Sequence, residues 1–279
     1  MANTINKAVS YMADPSNMNA VYKAAAKSID LDTQKMQVLA ANVVKLPVYT
    51  FGGALGTYDR DTGHVANAIT KAWDTYTLSQ DKGNKILLDP MDDEETLSEG
   101  IIKAFNEYIR QVVVPAVDTY KFGVLKTKAG TTAAETSTAA NIVTQLLTAE
   151  KTLTENEVPE EGRIIYMTAA TLQFLKSSSE VTKYLSTRTT EQGLNLNVSF
   201  FNGAKIVTVP SGRLPADTQF IYIHPTAVAS CVKHNPANFF AAGTIPGTDS
   251  AEIDYRLYYD LFAIENKTKG IYFQDNTGE

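Results

Sequence analysis

Three residues towards the C-terminus carry side chains that bind metal ions in other proteins: His224, Cys231 and His234. Their spacing, His-x6-Cys-x2-His, matches none of the zinc patterns, and the sequence offers no obvious fourth ligand. Structural zinc sites normally close with four ligands. We therefore predict no metal site at these residues.

Two further patterns could do chemistry, a glycine-rich segment at residues 52–56 and an acidic run between Asp89 and Glu99. The first lacks the Lys-Ser/Thr of a phosphate-binding loop, so turn geometry explains its glycines better. The acidic run matches the positive end of a helix dipole, although such carboxylates could also bind a divalent cation. No nucleophile or metallohydrolase motif is present. We predict no catalytic residues, no cofactor and no enzyme activity. A small-oligomer hydrolase using Asp92 or Glu95 stays open as an alternative.

The composition is that of a globular protein: 279 residues, 44% of them hydrophobic, with a formal net charge of -6. This acidic balance restricts any contact with DNA to local patches. The single cysteine excludes an internal disulfide and favours a reducing compartment. No signal peptide and no apolar run of about 18–20 residues is present, so we predict neither secretion nor a membrane span.

β-branched and aromatic residues dominate at residues 71–80 and again at 85–88, with Asp-Lys-Gly-Asn between them. This pattern predicts a β-hairpin with its turn at 81–84. A two-stranded hairpin is only marginally stable alone, and this one has many polar side chains. We therefore expect it to rest on another part of the protein or on another chain, with Trp73 and Tyr76 as anchors.

The strongest helix pattern extends from residue 92 to about 125, where apolar residues recur at steps of three and four. Pro115 should kink this helix or end it near Val114. Residues 1–45 show shorter helical patterns with few large apolar residues. That segment fits either a cap on its own domain or an arm lying on a neighbouring subunit.

The remainder alternates helices with short strands, as in a compact α/β unit, after a predicted linker at residues 128–138. The predicted helices are 139–156, 168–177, 179–187 and a short one opening at Pro225. The predicted strands are 163–167, 205–209, 220–224, 255–266 and 270–274.

Several segments carry a family resemblance. Residues 53–63 form a glycine-rich turn with a Tyr-Asp-Arg-Asp core, residues 73–83 begin with Trp-Asp-Thr-Tyr, and residues 89–96 are acidic. Residues 201–210 read Phe-Asn-Gly-Ala-Lys-Ile-Val-Thr-Val-Pro, and residues 255–262 read Tyr-Arg-Leu-Tyr-Tyr-Asp-Leu-Phe. In this order the segments resemble the major capsid proteins of tailed bacteriophages, from one end of the chain to the other.

The resemblance implies an α+β fold of the Hong Kong 97 type. It implies an N-terminal arm at 1–45, an extended hairpin called the E-loop at 46–90, and an axial domain at 138–250. A peripheral domain with a long spine helix would comprise residues 91–137 and 251–279. Lys82 and Lys85 depart from the arginines that the family often has in the hairpin.

The function implied is that of a major capsid protein, which assembles through hexameric and pentameric capsomers into an icosahedral shell around double-stranded DNA. A cellular nanocompartment shell of the same fold is the main alternative. The implied partners are further copies of the chain, a separate scaffolding protein and a portal protein, with DNA held by confinement and no membrane. The implied location is the virion capsid, assembled in the bacterial host cytoplasm.

Residues 1–45 lack the long charged helical run of an internal scaffold, so we expect the mature subunit to be untrimmed. The residues expected at contacts between subunits are Tyr58, Asp59, Arg60, Asp61, Trp73, Tyr76, Asp81, Lys82 and Lys85.

Overall fold

The computed structural model describes residues 21–32, 43–53, 56–58, 60–61, 64, 69–89, 100–179, 199–234, 237–247 and 250–276. Within these ranges it contains three sheets and four α-helices of nine residues or more, so the predicted α+β composition is confirmed. The strands are β1 (Val43–Phe51), β2 (Ile69–Thr77), β3 (Gln80–Leu88), β4 (Thr131–Ala134), β5 (Ile164–Thr168), β6 (Phe200–Phe201), β7 (Ala204–Val209), β8 (Thr218–Ile223), β9 (Val228–His234), β10 (Ala237–Phe240), β11 (Ala251–Ala263) and β12 (Ile271–Asp275). The helices are α1 (Gly100–Tyr108), α2 (Val114–Thr127), α3 (Ile142–Glu155) and α4 (Ala169–Ser177).

β1 and β2 form a two-stranded antiparallel ribbon, hereafter the ribbon. Its nine-residue strands extend about 30 Å at about 3.3 Å per residue. Pro47 lies inside β1, and this position tolerates it because both strands of a ribbon have a free edge. A structure this thin has no core of its own.

The predicted hairpin between residues 71–80 and 85–88 is wrong, although both segments are strands. β3 runs straight through the predicted turn at 81–84 and pairs with β11, so that Gln80 faces Tyr259 and Leu88 faces Ala251. A Cβ at Gly83 would lie 3.2 Å from the carbonyl oxygen of Tyr255. The glycine that signals a turn in the sequence therefore permits the close approach of two strands instead.

β3 belongs to a four-stranded sheet in which β11 is central, with β3 on one side and β9 and β10 on the other. One face of this sheet packs against the long helix. The apolar residues that meet there are Phe105, Ile109, Val113, Val114 and Val117 from the helix and Ile253, Tyr255, Leu257 and Tyr259 from β11. The rings of Phe105 and Tyr255 meet edge to face, with centroids 5.8 Å apart.

The long helix is continuous over residues 100–127, about 40 Å at 1.5 Å per residue, and its predicted start at 92–99 lies outside the described residues. Pro115 does not end it. The segment Ile109–Val113 is π-helical, and the N–H of Val114 donates to the carbonyl of Ile109. This wider turn precedes the proline and accommodates the ring that would clash inside a regular α-helix.

The second large layer is a six-stranded sheet with the order β4-β12-β8-β5-β7-β6. Helices α3 and α4 cover one face, and α2 packs on the other through Phe122 and Leu125. β5 is buried on both faces, as expected of a central strand. The predicted strands and helices between residues 139 and 177, and those at 205–209, 220–224, 255–266 and 270–274, are confirmed, and their ends lie within four residues of the predicted ones.

Other predictions in this region need correction. The predicted linker at 128–138 contains β4, which pairs in parallel with β12 and has alternate residues partly buried. The helix expected at Pro225 is a three-residue 3-10 turn, and strands β9 and β10 were not predicted. The helix predicted at 179–187 falls almost entirely outside the described residues.

Residues 21–32, hereafter the strap, lie on the chain's own helix and sheets. They begin helically and end in a 3-10 turn at Ile29–Leu31. Ala26 and Leu31 are buried in the core. Of the two interpretations of this part of the N-terminal segment, the structure supports the cap on its own domain.

A substitution at Tyr166 tests how the apolar core accommodates a buried hydroxyl. Its side chain is fully buried, its ring lies 5.1 Å from that of Phe122, and its hydroxyl has no hydrogen-bond partner among the described residues. Burial raises the pKa of this hydroxyl. Because an unsatisfied buried hydroxyl is costly, Tyr166→Phe is expected to raise the free energy of unfolding by about 1 kcal/mol.

The matched control is Tyr120→Phe, since the hydroxyl of Tyr120 donates to Asp260 over 2.6 Å. This change should lower the free energy of unfolding by about 1–2 kcal/mol. Urea unfolding followed by circular dichroism measures both variants. If Tyr166→Phe were as destabilised as the control, the Tyr166 hydroxyl would have to make a stabilising hydrogen bond, which would contradict the prediction.

Candidate intersubunit surface

One face of the ribbon is apolar and exposed. Ile69, Lys71 and Trp73 alternate along β2 and share a face with Tyr49, which pairs with Lys71. The exposed fractions are 65% for Ile69, 52% for Trp73 and 51% for Tyr49. Contiguous apolar patches on soluble proteins mark interaction sites. We call these four residues the aromatic face of the ribbon.

Lys71 lies between the two aromatic rings. Its Nζ is 4.8 Å from the ring centroid of Trp73 and 5.7 Å from that of Tyr49. Cation–π attraction at these distances orients both rings and keeps the ammonium group on the surface. The aromatic face therefore presents a positive charge among apolar groups. Neither Tyr49 nor Lys71 was predicted from the sequence to be a contact residue.

The base of the ribbon is held by the chain itself. Val44, Leu78 and Cys231 form a buried apolar cluster there. The ring of Tyr76 lies 5.0 Å from that of Phe262, and burial raises the pKa of its hydroxyl. The two predicted anchors thus differ: Tyr76 packs on its own chain, and Trp73 is exposed. A contact of either residue with another subunit stays a prediction.

The segment between the ribbon strands contributes four of the predicted contact residues. Tyr58 is 61% exposed, and its ring centroid is 5.0 Å from that of His64. Arg60 and Asp61 are also exposed, and Asp59 lies outside the described residues. Tyr58, Arg60 and Asp61 thus lie on the surface, as a contact with a partner requires.

The last three predicted residues lie on β3 instead of a hairpin turn. Arg256 Nε donates to Asp81 Oδ1 over 2.9 Å, and Lys85 forms an ion pair with Glu252. Hydrogen bonding to Glu252 raises the pKa of Lys85. Asp81 and Lys85 therefore join β3 to β11 within one chain, whereas Lys82 is exposed.

A groove of about 280 Å³ runs between the long helix and strands β3 and β11. It is mostly apolar, and Val112 at its edge is 50% exposed. Its lining residues are Gln80, Lys82, Gly83, Tyr108, Val112, Val113, Ala116, Val117, Tyr120, Tyr255, Leu257 and Tyr259. Burial raises the pKa of Tyr259 to about 12. The groove can receive an apolar or aromatic side chain.

Two of the residues considered for metal chemistry, Cys231 and His224, have other contacts. Cys231 belongs to the cluster at the base of the ribbon. The ring nitrogens of His224 lie 2.6 Å from Thr226 Oγ1 and 2.9 Å from the carbonyl oxygen of Glu161. The described part of the chain holds no group of three or more metal-binding side chains, and Asp92 and Glu95 lie outside it. Within that part, no helix has the length and apolar character to cross a membrane.

Comparison of the sequence with family models and with curated proteins gives no match. Solved structures do match. The chain is similar to the capsid structure of the cyanophage P-SCSP1u, with a TM-score of 0.64, 14% identity, and coverage of 90% of this chain and 88% of that one. A structure from Gordonia phage Cozz matches with a TM-score of 0.68 and 10% identity, over 91% and 87% of the two chains. A virus-like particle from Pyrococcus furiosus matches with a TM-score of 0.57 and 9% identity, over 92% and 95%.

These matches extend over nearly the whole of each chain. The α+β, Hong Kong 97-type capsid fold that the resemblance implied is therefore confirmed. At identities of 9–14%, these structural matches establish the fold alone.

Proposed function

We propose that this chain is the major capsid protein of a tailed bacteriophage. In this proposal it is a structural protein and not an enzyme. Copies assemble through hexameric and pentameric capsomers into an icosahedral shell that holds double-stranded DNA. The observation that carries the proposal is the match to phage capsid structures over about nine-tenths of the chain.

The aromatic face of the ribbon supports the proposal independently of the fold. A monomer gains nothing from exposing Trp73 and Tyr49 on a ribbon without a core, whereas a neighbouring copy can bury them. The groove along the long helix is an apolar surface of suitable size for such a side chain. In the proposed shell, the ribbon of one copy lies over this groove of the next. Closed symmetric assemblies satisfy such paired surfaces on every subunit.

The domain assignment belongs to the same proposal. Residues 46–90 are assigned to the E-loop, residues 91–137 and 251–279 to the peripheral domain, and residues 138–250 to the axial domain. Residues 1–45 are assigned to the N-terminal arm, of which the strap is the part held by its own chain. The separate scaffolding protein, the portal protein and assembly in the host cytoplasm follow from the proposed function and not from a particular surface of the chain.

The test is assembly of the full chain, expressed alone and together with its scaffolding protein. Electron microscopy and light scattering are expected to reveal closed particles of uniform diameter. A chain that stays monomeric or forms only small oligomers at high concentration, with the scaffold present, would overturn the proposal. A small oligomer with hydrolase activity would support the enzyme alternative.

The match to the Pyrococcus furiosus particle favours one second candidate, a cellular nanocompartment shell that encloses protein cargo. Both candidates form shells, so the contents decide between them. Particles isolated from the natural source should contain double-stranded DNA if the chain is a phage capsid protein. Particles filled with protein and free of DNA would favour the nanocompartment.

The unassembled protein is expected to bind DNA weakly. Residues 89–122 hold eight acidic and three basic residues, which account for -5 of the net charge of -6. Tight binding of DNA requires many Lys or Arg contacts that release counterions. We expect a Kd weaker than about 10 μM at about 0.15 M salt, measured by fluorescence anisotropy with a labelled duplex. Nanomolar, strongly salt-sensitive binding would contradict confinement by the shell alone.

A further inference from the structure

Asp118 lies in α2 and is fully buried, yet its carboxylate has four donors around it. The N–H groups of Lys27 and Ser28 donate over 3.1 and 3.2 Å, and the Ser28 hydroxyl donates over 2.6 Å. Arg213 Nη1 donates over 3.0 Å. Three of these donors come from the strap and one from the turn after β7. A buried carboxylate needs such partners to stay charged.

The strap has further polar ties to both sides. Lys121, one turn after Asp118 and fully buried, donates to Asp32 over 2.6 Å. Lys205 on β7 pairs with Asp30 over 2.7 Å. Arg213 Nη1 also donates to the carbonyl of Ala25 over 3.2 Å. The strap is thus fixed to the long helix and to the six-stranded sheet at once.

The apolar side chains of the strap repeat this division. Ala26 packs in the cluster between the four-stranded sheet and the long helix. Leu31, only five residues later, is fully buried in the cluster beneath the six-stranded sheet. Apart from the strap, α2 and β11 also contribute to both clusters. The strap is therefore a third connection between the two layers, and Asp118 is the point where its polar contacts converge.

We infer that the strap, held by Asp118, fixes the angle between the two layers and so determines the diameter of the shell. This inference rests on the proposed function. In a closed assembly of identical subunits, every contact inherits the internal angle of the subunit, so a small change of that angle is repeated around the shell. A buried, fully hydrogen-bonded charge network is suited to specify one geometry, since each donor must meet its acceptor at a defined distance and angle. Asp118 acts here as a positioning residue.

The first test is Asp118→Asn, which keeps the shape of the side chain and removes its charge. Particles of the wild type are expected to have one diameter in cryo-electron microscopy, and particles of the variant several diameters or open sheets. The control is Leu146→Ala in α3, which removes a fully buried side chain from an apolar cluster that contains no strap residue. It should lower the melting temperature and leave the diameter unchanged, because loss of stability alone does not alter shell geometry.

The second test uses the partly exposed pair Asp30–Lys205, whose variants are expected to fold. Asp30→Lys places two cations together and should broaden the diameters, and adding Lys205→Asp should restore a single diameter. Asp118→Asn particles with the wild-type diameter, or reversal variants with no effect, would overturn the inference. Absence of shells from the wild type would instead refute the proposed function, so the two failures are distinguishable.

Discussion

Replacing Trp73 with alanine is expected to give a folded subunit that no longer forms shells. About half of the Trp73 side chain is exposed, and its ring contacts Lys71 on the same ribbon. The melting temperature should therefore fall by no more than about 2 °C. A buried aromatic anchor at an interface typically contributes about 2 kcal/mol or more, which corresponds to about a 30-fold loss of affinity. Because each subunit makes this contact, the loss is repeated throughout the shell.

Two variants make this result specific. Thr75→Ala changes an exposed residue on the same face of β2 and should leave both assembly and stability unchanged. Tyr76→Ala removes the ring that packs on Phe262 and should lower the melting temperature of the subunit itself. Light scattering and electron microscopy report assembly, and circular dichroism reports folding. Normal shells from Trp73→Ala would remove the aromatic face from the proposed interface.

The second large effect is expected at Gly130, which precedes β4. A Cβ at this position would lie 2.5 Å from the carbonyl oxygen of Thr268 and 2.8 Å from the Cα of Lys269. The N–H of Gly130 also donates to the carbonyls of Thr268 and Ile271, each over 3.1 Å. The contacting atoms belong to the backbone, so they cannot move aside as the end of a flexible side chain could. Gly130→Ala should lower the free energy of unfolding by about 3 kcal/mol and the melting temperature by about 6–12 °C.

Gly123→Ala is the matched control, since a Cβ there meets no atom within 4 Å and the residue lies inside α2. Alanine is the better helix former, so this variant should be up to about 1 kcal/mol more stable than the wild type. Differential scanning calorimetry of both variants checks the pair. Equal melting temperatures for the two would mean that the turn at Gly130 relaxes without cost.

The elements that the sequence predicts well are those whose patterns are local. The long helix follows from apolar residues at steps of three and four, and β11 from its period-two aromatic residues. Strand pairing depends on residues distant in sequence, and the pairing predicted for β3 was wrong. Asp-Lys-Gly-Asn at 81–84 is good turn chemistry, yet these residues are exposed and extended, and pairing of β3 with β11 outweighs the turn preference.

The residues of the candidate surface likewise differ in whether the sequence alone can identify them. Trp73 is recognisable from its residue type on a strand too polar to form a core. Tyr49 and Lys71 join it only because β1 pairs with β2 in one register, and Pro47 obscures β1 in the sequence. No local pattern reveals that Tyr76 packs on Phe262, since that contact depends on the distant strand β11.

The pairing of β3 with β11 also dictates when the subunit can complete its fold during synthesis. Residues 89–250 separate the two strands, and translation at about 5–20 residues per second takes on the order of 10–30 s to produce them. The ribbon can pair early because β1 and β2 are close in sequence, but its base has no Phe262 to rest on until β11 leaves the ribosome. In a chain interrupted before residue 251, the base of the ribbon therefore lacks its contact with Phe262. Under the proposed function, an unfinished subunit would therefore lack a fixed ribbon to offer to its neighbours.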